Sequence, residues 1–394
     1  MNKEWEKWTS EQKKEFQRIF IEWYEKEKRN LPWRYNQDPY RIWISEIMLQ
    51  QTRVDTVIDY FYRFMEWFPT IESLANAPEE KLLKAWEGLG YYSRVRNIQT
   101  AAKQIMTEYG GEMPCTPEEI SKLKGIGPYT TGAISSIAFG LPEPAIDGNV
   151  MRVVSRLFCI EEDIAKASSR KTFDEAMRSI IDENHPGEFN QALMDLGSAI
   201  CTPTSPLCEE CPIQAFCLAK QEGKQQQYPV KTKKEKPKDI YYICAAIQNE
   251  AGAYYFEERH TQKLLAKMWT FPMLEVTKET YHLLKEEWAQ SYEPDLFAES
   301  LVAEEEGHIL PFAFSDELIW QKRHLGEVTH LFSHLKWHVL LFYGRIPAHS
   351  ENVLSETKNA RWLNPNGFND VAFPKVQVKL LEQLEKNRNN SNPF

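Results

Sequence analysis

Apolar residues recur at helical spacing from the start of the chain. Phe16, Ile19, Phe20 and Trp23 fall at i, i+3, i+4 and i+7 behind Thr9 and Ser10, which predicts an amphipathic helix over 9–29. Pro32, Asn36 and Pro39 break it, and Asp38-Pro39 opens a second helix through Gln50. There Ile44, Ile47 and Met48 supply the buried face, while Glu46 and Gln50, four apart, lie on another. Further helices are predicted at 52–67, 70–76, 78–88 and 93–109, separated by Pro69, Pro78 and the Gly88-Leu89-Gly90 break. Helical patterning continues at 117–123, 128–139, 149–158, 167–183 and 187–200. No alternating strand pattern occurs before residue 230, so this part reads as all-α.

Residues 221–238 are polar and Lys-rich and read as a solvated linker. Beyond it the period changes. Tyr241 to Ile247 and Ala253 to Glu257 predict two strands joined by a turn, and Leu325 to His334 and Lys336 to Tyr343 predict two more. With helical patterns near 277–290 and 375–387, this is a smaller α/β domain with a mixed sheet. The expected division is a helical domain over 1–220, the linker, an α/β domain over 239–387 and a flexible tail over 388–394.

At 394 residues the chain has room for two domains, and 42% hydrophobic with 26% charged residues is ordinary for a globular protein. No apolar run reaches bilayer length and the polar N-terminus has no signal-peptide core, which predicts an intracellular protein with no membrane partner. The net charge of −10 argues mildly against a nucleic-acid partner. Residues 1–238 carry 32 Lys and Arg against 35 Asp and Glu, and the remainder 15 against 22, so neither part is basic. Contact with DNA would have to rest on local clusters and backbone donors.

Two stretches carry candidate chemistry. In Ser121 to Arg152, Leu123 closes one helix, Gly125 and Gly127 form a tight hairpin, and Pro128 begins the next helix. Bare backbone N–H groups at a helix N-terminus can grip a phosphate without side-chain charge. Twenty residues past Gly127 stands Asp147, at the lip of the following helix. The second stretch is Cys201, Cys208, Cys211 and Cys217, spaced Cys-x6-Cys-x2-Cys-x5-Cys. That spacing alone leaves zinc and an iron-sulfur cluster equally open.

The hairpin Leu123-Lys-Gly-Ile-Gly-Pro-Tyr-Thr, Asp147 at the end of Pro144-Ala-Ile-Asp, and the cysteine spacing together resemble the helix-hairpin-helix DNA glycosylases of the endonuclease III superfamily. The resemblance spans residues 10 to about 220 and implies a 4Fe-4S cluster on the four cysteines. Members that also cut the DNA backbone carry a nucleophilic Lys two residues after the second hairpin glycine, where this chain has Tyr129. It therefore looks like the adenine glycosylase branch, the MutY type, in which water is the nucleophile. Ser45-Glu-Ile-Met-Leu-Gln-Gln-Thr resembles that branch's acid-bearing helix, and Leu331-Phe-Ser-His its loop for the oxidised guanine opposite the adenine.

The resemblance implies excision of adenine mispaired with 8-oxoguanine or guanine in double-stranded DNA, by a monomer at the nucleoid. Glu46 would protonate the leaving base and Asp147 would stabilise the oxocarbenium charge and help activate water, with Tyr129 hydrogen-bonding Asp147 or the sugar region and Asn149 orienting the same carboxylate. Taken alone, Asp147 reads as a helix N-cap and Glu46 as an exposed helix residue. Helix N-terminal amides are expected to keep Asp147 ionised. The base must be flipped out, which assigns wedge roles to Gln51 and Tyr91 and pocket roles to Trp33, Arg34, Leu49 and Gln191.

The second domain resembles a Nudix fold through Met268-Trp-Thr-Phe-Pro. Met273 and Leu274 replace the expected glycines, and no Arg-Glu-x-x-Glu-Glu helix follows, so magnesium-dependent hydrolysis is not expected. Phe332, Ser333 and His334 would instead meet the 8-oxoguanine. The competing readings are a bifunctional glycosylase-lyase, disfavoured by Tyr129, and a non-catalytic lesion-binding protein, which gives no reason for Glu46 and Asp147 to occur together.

Overall fold

The computed structural model describes residues 3–50, 52–233, 235–259, 264–289, 310–347 and 354–390. The chain divides into two compact units, one of residues 1–85 with 93–234, the other of 86–92 with 235–394.

The first unit is helical. Its order is α1 (Ser10–Glu27), α2 (Pro39–Leu49), α3 (Val54–Trp67), α4 (Ile71–Ala75), α5 (Glu79–Ala85), α6 (Ser93–Glu108), α7 (Pro117–Ile120), α8 (Pro128–Phe139), α9 (Gly148–Phe158), α10 (Arg170–Ile180), α11 (Pro186–Ala199) and α12 (Leu218–Gln221). α1 starts with a capping box, in which Gln12 N donates to Thr9 Oγ1 at 3.2 Å and Thr9 N donates to Gln12 Oε1 at 2.9 Å. Phe16, Phe20 and Tyr24 of α1 pack with Val153, Leu157, Phe173, Ile180, Phe189 and Leu193 from α9, α10 and α11. α2 differs from an ordinary amphipathic helix, because Tyr40 and every residue from Ile42 to Met48 are buried.

α8 lies against the extended stretch that follows it, and Gly132 is the reason it can. A Cβ there would stand 2.1 Å from the Pro144 carbonyl oxygen. The fully buried Asn190 of α11 holds the same stretch: its Nδ2 donates to Ser136 Oγ and to the Glu143 carbonyl, each at 2.9 Å, and its Oδ1 accepts from Ala145 N at 3.0 Å. Helix packing thus delivers Asp147 to a set place.

Among its described residues the second unit contains an eight-stranded mixed sheet: β1 (Lys238–Gln248), β2 (Tyr254–Glu258), β3 (Trp269–Thr270), β4 (Met273–Val276), β5 (Ile319–Trp320), β6 (Gly326–Leu331), β7 (Leu335–Arg345) and β8 (Ala360–Leu363). β1 and β7 run parallel, with Ile243 opposite Leu340, and β6 pairs antiparallel with β7. Side chains alternate across β1. Ile243, Ala245 and Ile247 join Tyr281 and Leu284 of α13 (Lys278–Glu287), whereas Tyr242, Cys244 and Ala246 join Val376, Leu380 and Leu384 of α14 (Lys375–Asn390).

Several expected boundaries shift. The 78–88 helix stops at Ala85 before glycines with positive φ at 88 and 90, and the strand expected to reach His334 stops at Leu331 because 332–334 form the β6–β7 turn. α14 continues through Asn390, past the expected start of a flexible tail, and residues 391–394 lie outside the described residues. Met273 and Leu274 lie in β4, paired with Cys244 and Ile243. Among the described residues, no helix is long and apolar enough to cross a membrane.

Gly132→Ala should lower the melting temperature by the equivalent of about 3 kcal/mol or more, because its neighbour is backbone and cannot rotate away. Gly148→Ala, which meets nothing within 4 Å, should leave stability within about 1 kcal/mol of wild type. Thermal melting of both variants checks the contrast.

Candidate active site

A cavity of about 810 Å³ in the first unit is lined by Glu46, Tyr129, Asp147, Asn149, Trp33, Arg34, Leu49 and Gln191, together with Arg29, Ser45, Met194 and others. All eight sequence-derived candidates for acid, base, orienting and pocket roles in this unit meet there, from α2, α8, α9, α11 and the turn at 32–34.

Glu46 is 5% exposed, against the expectation of an exposed helix position. The reason is that α2 is buried on nearly every side, so even its polar face turns inward. Loss of water raises the Glu46 carboxyl to about 7, with the nearby Asp147 adding to the rise and the Tyr129 hydroxyl and Arg34 opposing it. The Tyr129 hydroxyl donates to Glu46 Oε2 and not, as expected, to Asp147, because α8 packs directly on α2, and burial holds that phenol well above its ordinary value.

Asp147 is the N-cap of α9. Its Oδ1 accepts from Val150 N at 2.7 Å and its Oδ2 from Asn149 Nδ2 at 2.9 Å. Burial raises the carboxyl above its ordinary value, and these bonds, with the nearby Arg152, oppose the rise. Asn149 Oδ1 in turn accepts from Arg152 Nη2 at 2.9 Å, and Arg152 Nε donates to the Cys201 carbonyl at 2.8 Å. A continuous polar chain therefore runs from the Asp147 carboxyl to the first cysteine of the cluster.

Trp33 is buried edge-on against Phe61, with ring centroids 5.4 Å apart. Arg34 forms a two-pronged ion pair with Asp195, at 2.7 and 3.1 Å, and Arg29 donates to the same carboxylate at 3.0 Å. Gln191 Nε2 donates to the Gly187 carbonyl at 3.2 Å. Arg29, Asp195 and Asn190 escape a sequence reading, since each works through a partner more than 40 positions away.

Gly125 has φ +80 and a Cβ there would stand 2.6 Å from Asn97 Cβ, so only glycine fits this turn. Gly127 is the N-cap of α8, followed by Pro128, and a Cβ there would meet open space. Neither glycine lines the cavity. Tyr91, 46% exposed with φ +48, and the exposed Ser333 and His334 with the half-buried Phe332 belong to the second unit. The Ser333 hydroxyl and His334 Nδ1 lie 3.2 Å apart. Gln51 lies outside the described residues.

Cys201, Cys208, Cys211 and Cys217 are free, partly buried thiols that line one cavity of about 30 Å³ with Arg156 and Lys220. Arg156 Nη1 donates to Cys201 Sγ at 3.3 Å, while its other donors are satisfied by the carbonyls of Thr202, Pro203, Gln225 and Tyr228. Burial pushes the Cys211 thiol up to about 12 and Cys217 to about 11, so these two need a metal to hold them as thiolates. Among the described residues no three His, Cys, Asp or Glu side chains are grouped to hold a single metal ion. Four thiols around one space, with Arg156 and Lys220 beside them, suit a metal–thiolate centre of net negative charge.

Residues 44–179 match the HhH-GPD superfamily of base excision DNA repair proteins, 201–217 the iron-sulfur binding domain of endonuclease III, and 243–383 the NUDIX domain. An adenine DNA glycosylase of Homo sapiens is 33% identical over 93% of this chain and 73% of its own length. That of Rattus norvegicus is 31% identical over 95% and 78%, and that of Buchnera aphidicola from Acyrthosiphon pisum 31% over 94% and 98%.

The Glu46 shift has a thermodynamic consequence. A carboxyl raised from 4.5 to about 7 on folding favours the fold below pH 4.5 relative to higher pH, and that advantage is lost as pH rises through about 7. Glu46→Gln removes the ionisation, so it should gain about 3 kcal/mol over wild type on going from pH 4 to pH 8. Denaturant unfolding at the two pH values measures the difference, and an equal gap at both would contradict the buried acid.

Proposed function

The chain belongs to the adenine DNA glycosylase family, and we propose that it hydrolyses the N-glycosidic bond of adenine mispaired with 8-oxoguanine in duplex DNA, acting as a monomer at the nucleoid. It is a DNA glycosylase of base excision repair and carries a 4Fe-4S cluster. The observation that carries the reading is the meeting of Glu46, kept protonated to about pH 7, with Tyr129, Asp147 and Asn149 in one cavity.

In this mechanism adenine is turned out of the stack into the cavity, between Trp33 and Leu49, with Arg34 and Gln191 addressing its polar edge. Glu46 gives its proton to N7, so the base leaves neutral. Tyr129 holds the acid in line through its hydrogen bond to Oε2. As the bond breaks, positive charge grows on the sugar. Asp147, fixed by two hydrogen bonds, faces that charge and accepts a proton from the attacking water, while Asn149 keeps its oxygen in register. Backbone N–H groups at the Gly125–Gly127 hairpin hold a phosphate, and Gln51 and Tyr91 occupy the emptied stack. In the second unit Phe332, Ser333 and His334 read the opposite base; the Ser333 hydroxyl can accept from the N7 hydrogen that oxidation adds to guanine. Cys201, Cys208, Cys211 and Cys217 would hold the cluster, which would supply the cross-link that closes the 201–217 loop.

Asp147→Asn and Glu46→Gln should each slow adenine release about 10²–10⁴-fold under single-turnover conditions. The wild-type rate should fall as pH rises beyond about 7, where Glu46 loses its proton. Borohydride should trap no covalent DNA adduct. A near-normal rate for Asp147→Asn would refute the mechanism, and an efficient adduct would favour the glycosylase-lyase reading.

A further inference from the structure

We propose that Arg94 is a positioning residue, which holds the C-terminal end of α2 and thereby keeps Glu46 in the geometry for proton transfer; this rests on the assignment of Glu46 as the acid. The end of α2 is poorly served by its own sequence. The last turn carries no basic residue, and the C-cap is Gln50 at φ −59 and ψ 105, not a left-handed glycine. Among the described residues of the turn that follows, Thr52 N reaches the Leu49 carbonyl at 3.4 Å, a long bond. Carbonyls in a last turn have no intrahelical donor.

Arg94, the second residue of α6, supplies one from another helix. Its Nη1 donates to the Ile47 carbonyl at 2.9 Å and also to the Gln50 carbonyl. A cation at this end of a helix also opposes the negative pole of its dipole. Ile47 adjoins Glu46, and Leu49, Gln50, Thr52 and Arg53 line the cavity beside it. Arg94 does not line the cavity, so it touches no substrate there and acts by supporting the wall from behind. Releasing these carbonyls lets the last turn of α2 fray, and the change reaches Glu46 one turn back. The acid would then lose its alignment with the Tyr129 hydroxyl and its dryness together.

The groups that face Glu46 are Tyr129, Asp147 and Arg34, and none of them is removed by changing Arg94. A shift in the alkaline limb of the pH–rate profile therefore reports displacement of Glu46 itself. Arg94→Met keeps the stem and removes the charge and donors, and Arg94→Lys returns one charged donor. Single-turnover release of adenine opposite 8-oxoguanine should fall about a hundredfold in Arg94→Met, with Kd for the same duplex bearing a non-cleavable adenine analogue within about threefold of wild type. Its alkaline limb should move to lower pH as water reaches the carboxyl, and Arg94→Lys should recover part of both. In a Glu46→Gln background Arg94→Met should add little further loss. A fully additive loss in that background, or a wild-type rate and pH profile in Arg94→Met, would overturn the proposal. If Arg94→Met fails to fold, judged by melting and the visible absorbance of the cluster, Arg94→Lys decides: a reduced rate with a displaced limb supports the role, and wild-type behaviour ends it. Should Glu46→Gln alone keep full activity, the acid assignment fails first, and the two failures are told apart.

Discussion

The hydrogen bond from the Tyr129 hydroxyl to Glu46 is made where water has been removed, and this constraint sets what the surrounding helices must do. A carboxyl in such a place keeps its proton to about pH 7 because an unpaired buried anion is costly. Dryness is achieved by burying α2 along almost its whole circumference. A helix buried in this way can carry an acid only if its register is secure. The two ends are secured differently. Asp38 caps the N-terminus with its side chain, accepting from Tyr40 N at 2.8 Å, whereas the C-terminus relies on the distant Arg94.

Asp147 depends on close backbone packing. Gly132 lets α8 approach the 144–145 backbone, and Asn190 fixes that stretch through three hydrogen bonds. The capping bond to Val150 N then settles the carboxyl on α9. Because Asn149 and Arg152 extend the same chain to the Cys201 carbonyl, the cysteine loop and the carboxylate share one set of supports. Gly197 contributes by its size, since a Cβ there would press on Asn149 Cβ at 2.8 Å.

Features with local causes were legible in the sequence. The Gly125–Gly127 hairpin needs only glycine's backbone freedom and Pro128, the cysteine spacing lies within 17 residues, and the long β1 and β7 strands announce themselves by apolar runs rich in aromatic and β-branched residues. Glu46 was legible as a candidate through its flanking motif, but its burial was not. Helical period places it off the Ile44, Ile47 and Met48 face, and only tertiary packing turns that side inward. The pocket's ion pairs and Asn190 were hidden because their partners are remote in sequence. The short strands β3, β4, β5 and β8 have two to four residues each, too few for a period of two to be read.

The same packing explains why a phenol suits position 129. An amine in this desolvated place, beside a carboxyl, would be pulled toward its neutral form by burial and toward its charged form by Glu46 and Asp147. If neutral, it would be a nucleophile able to form an imine with the sugar. A phenol held well above its ordinary value by burial and by those two carboxyls stays protonated at every pH at which the protein works. It can therefore only donate, and its donor has one short-range acceptor in Glu46, the contact with Met194 Sδ being 3.8 Å. Donation to Oε2 leaves the other carboxyl oxygen of Glu46 to carry the proton, so that in the proposed mechanism the phenol would orient that proton without competing for the sugar.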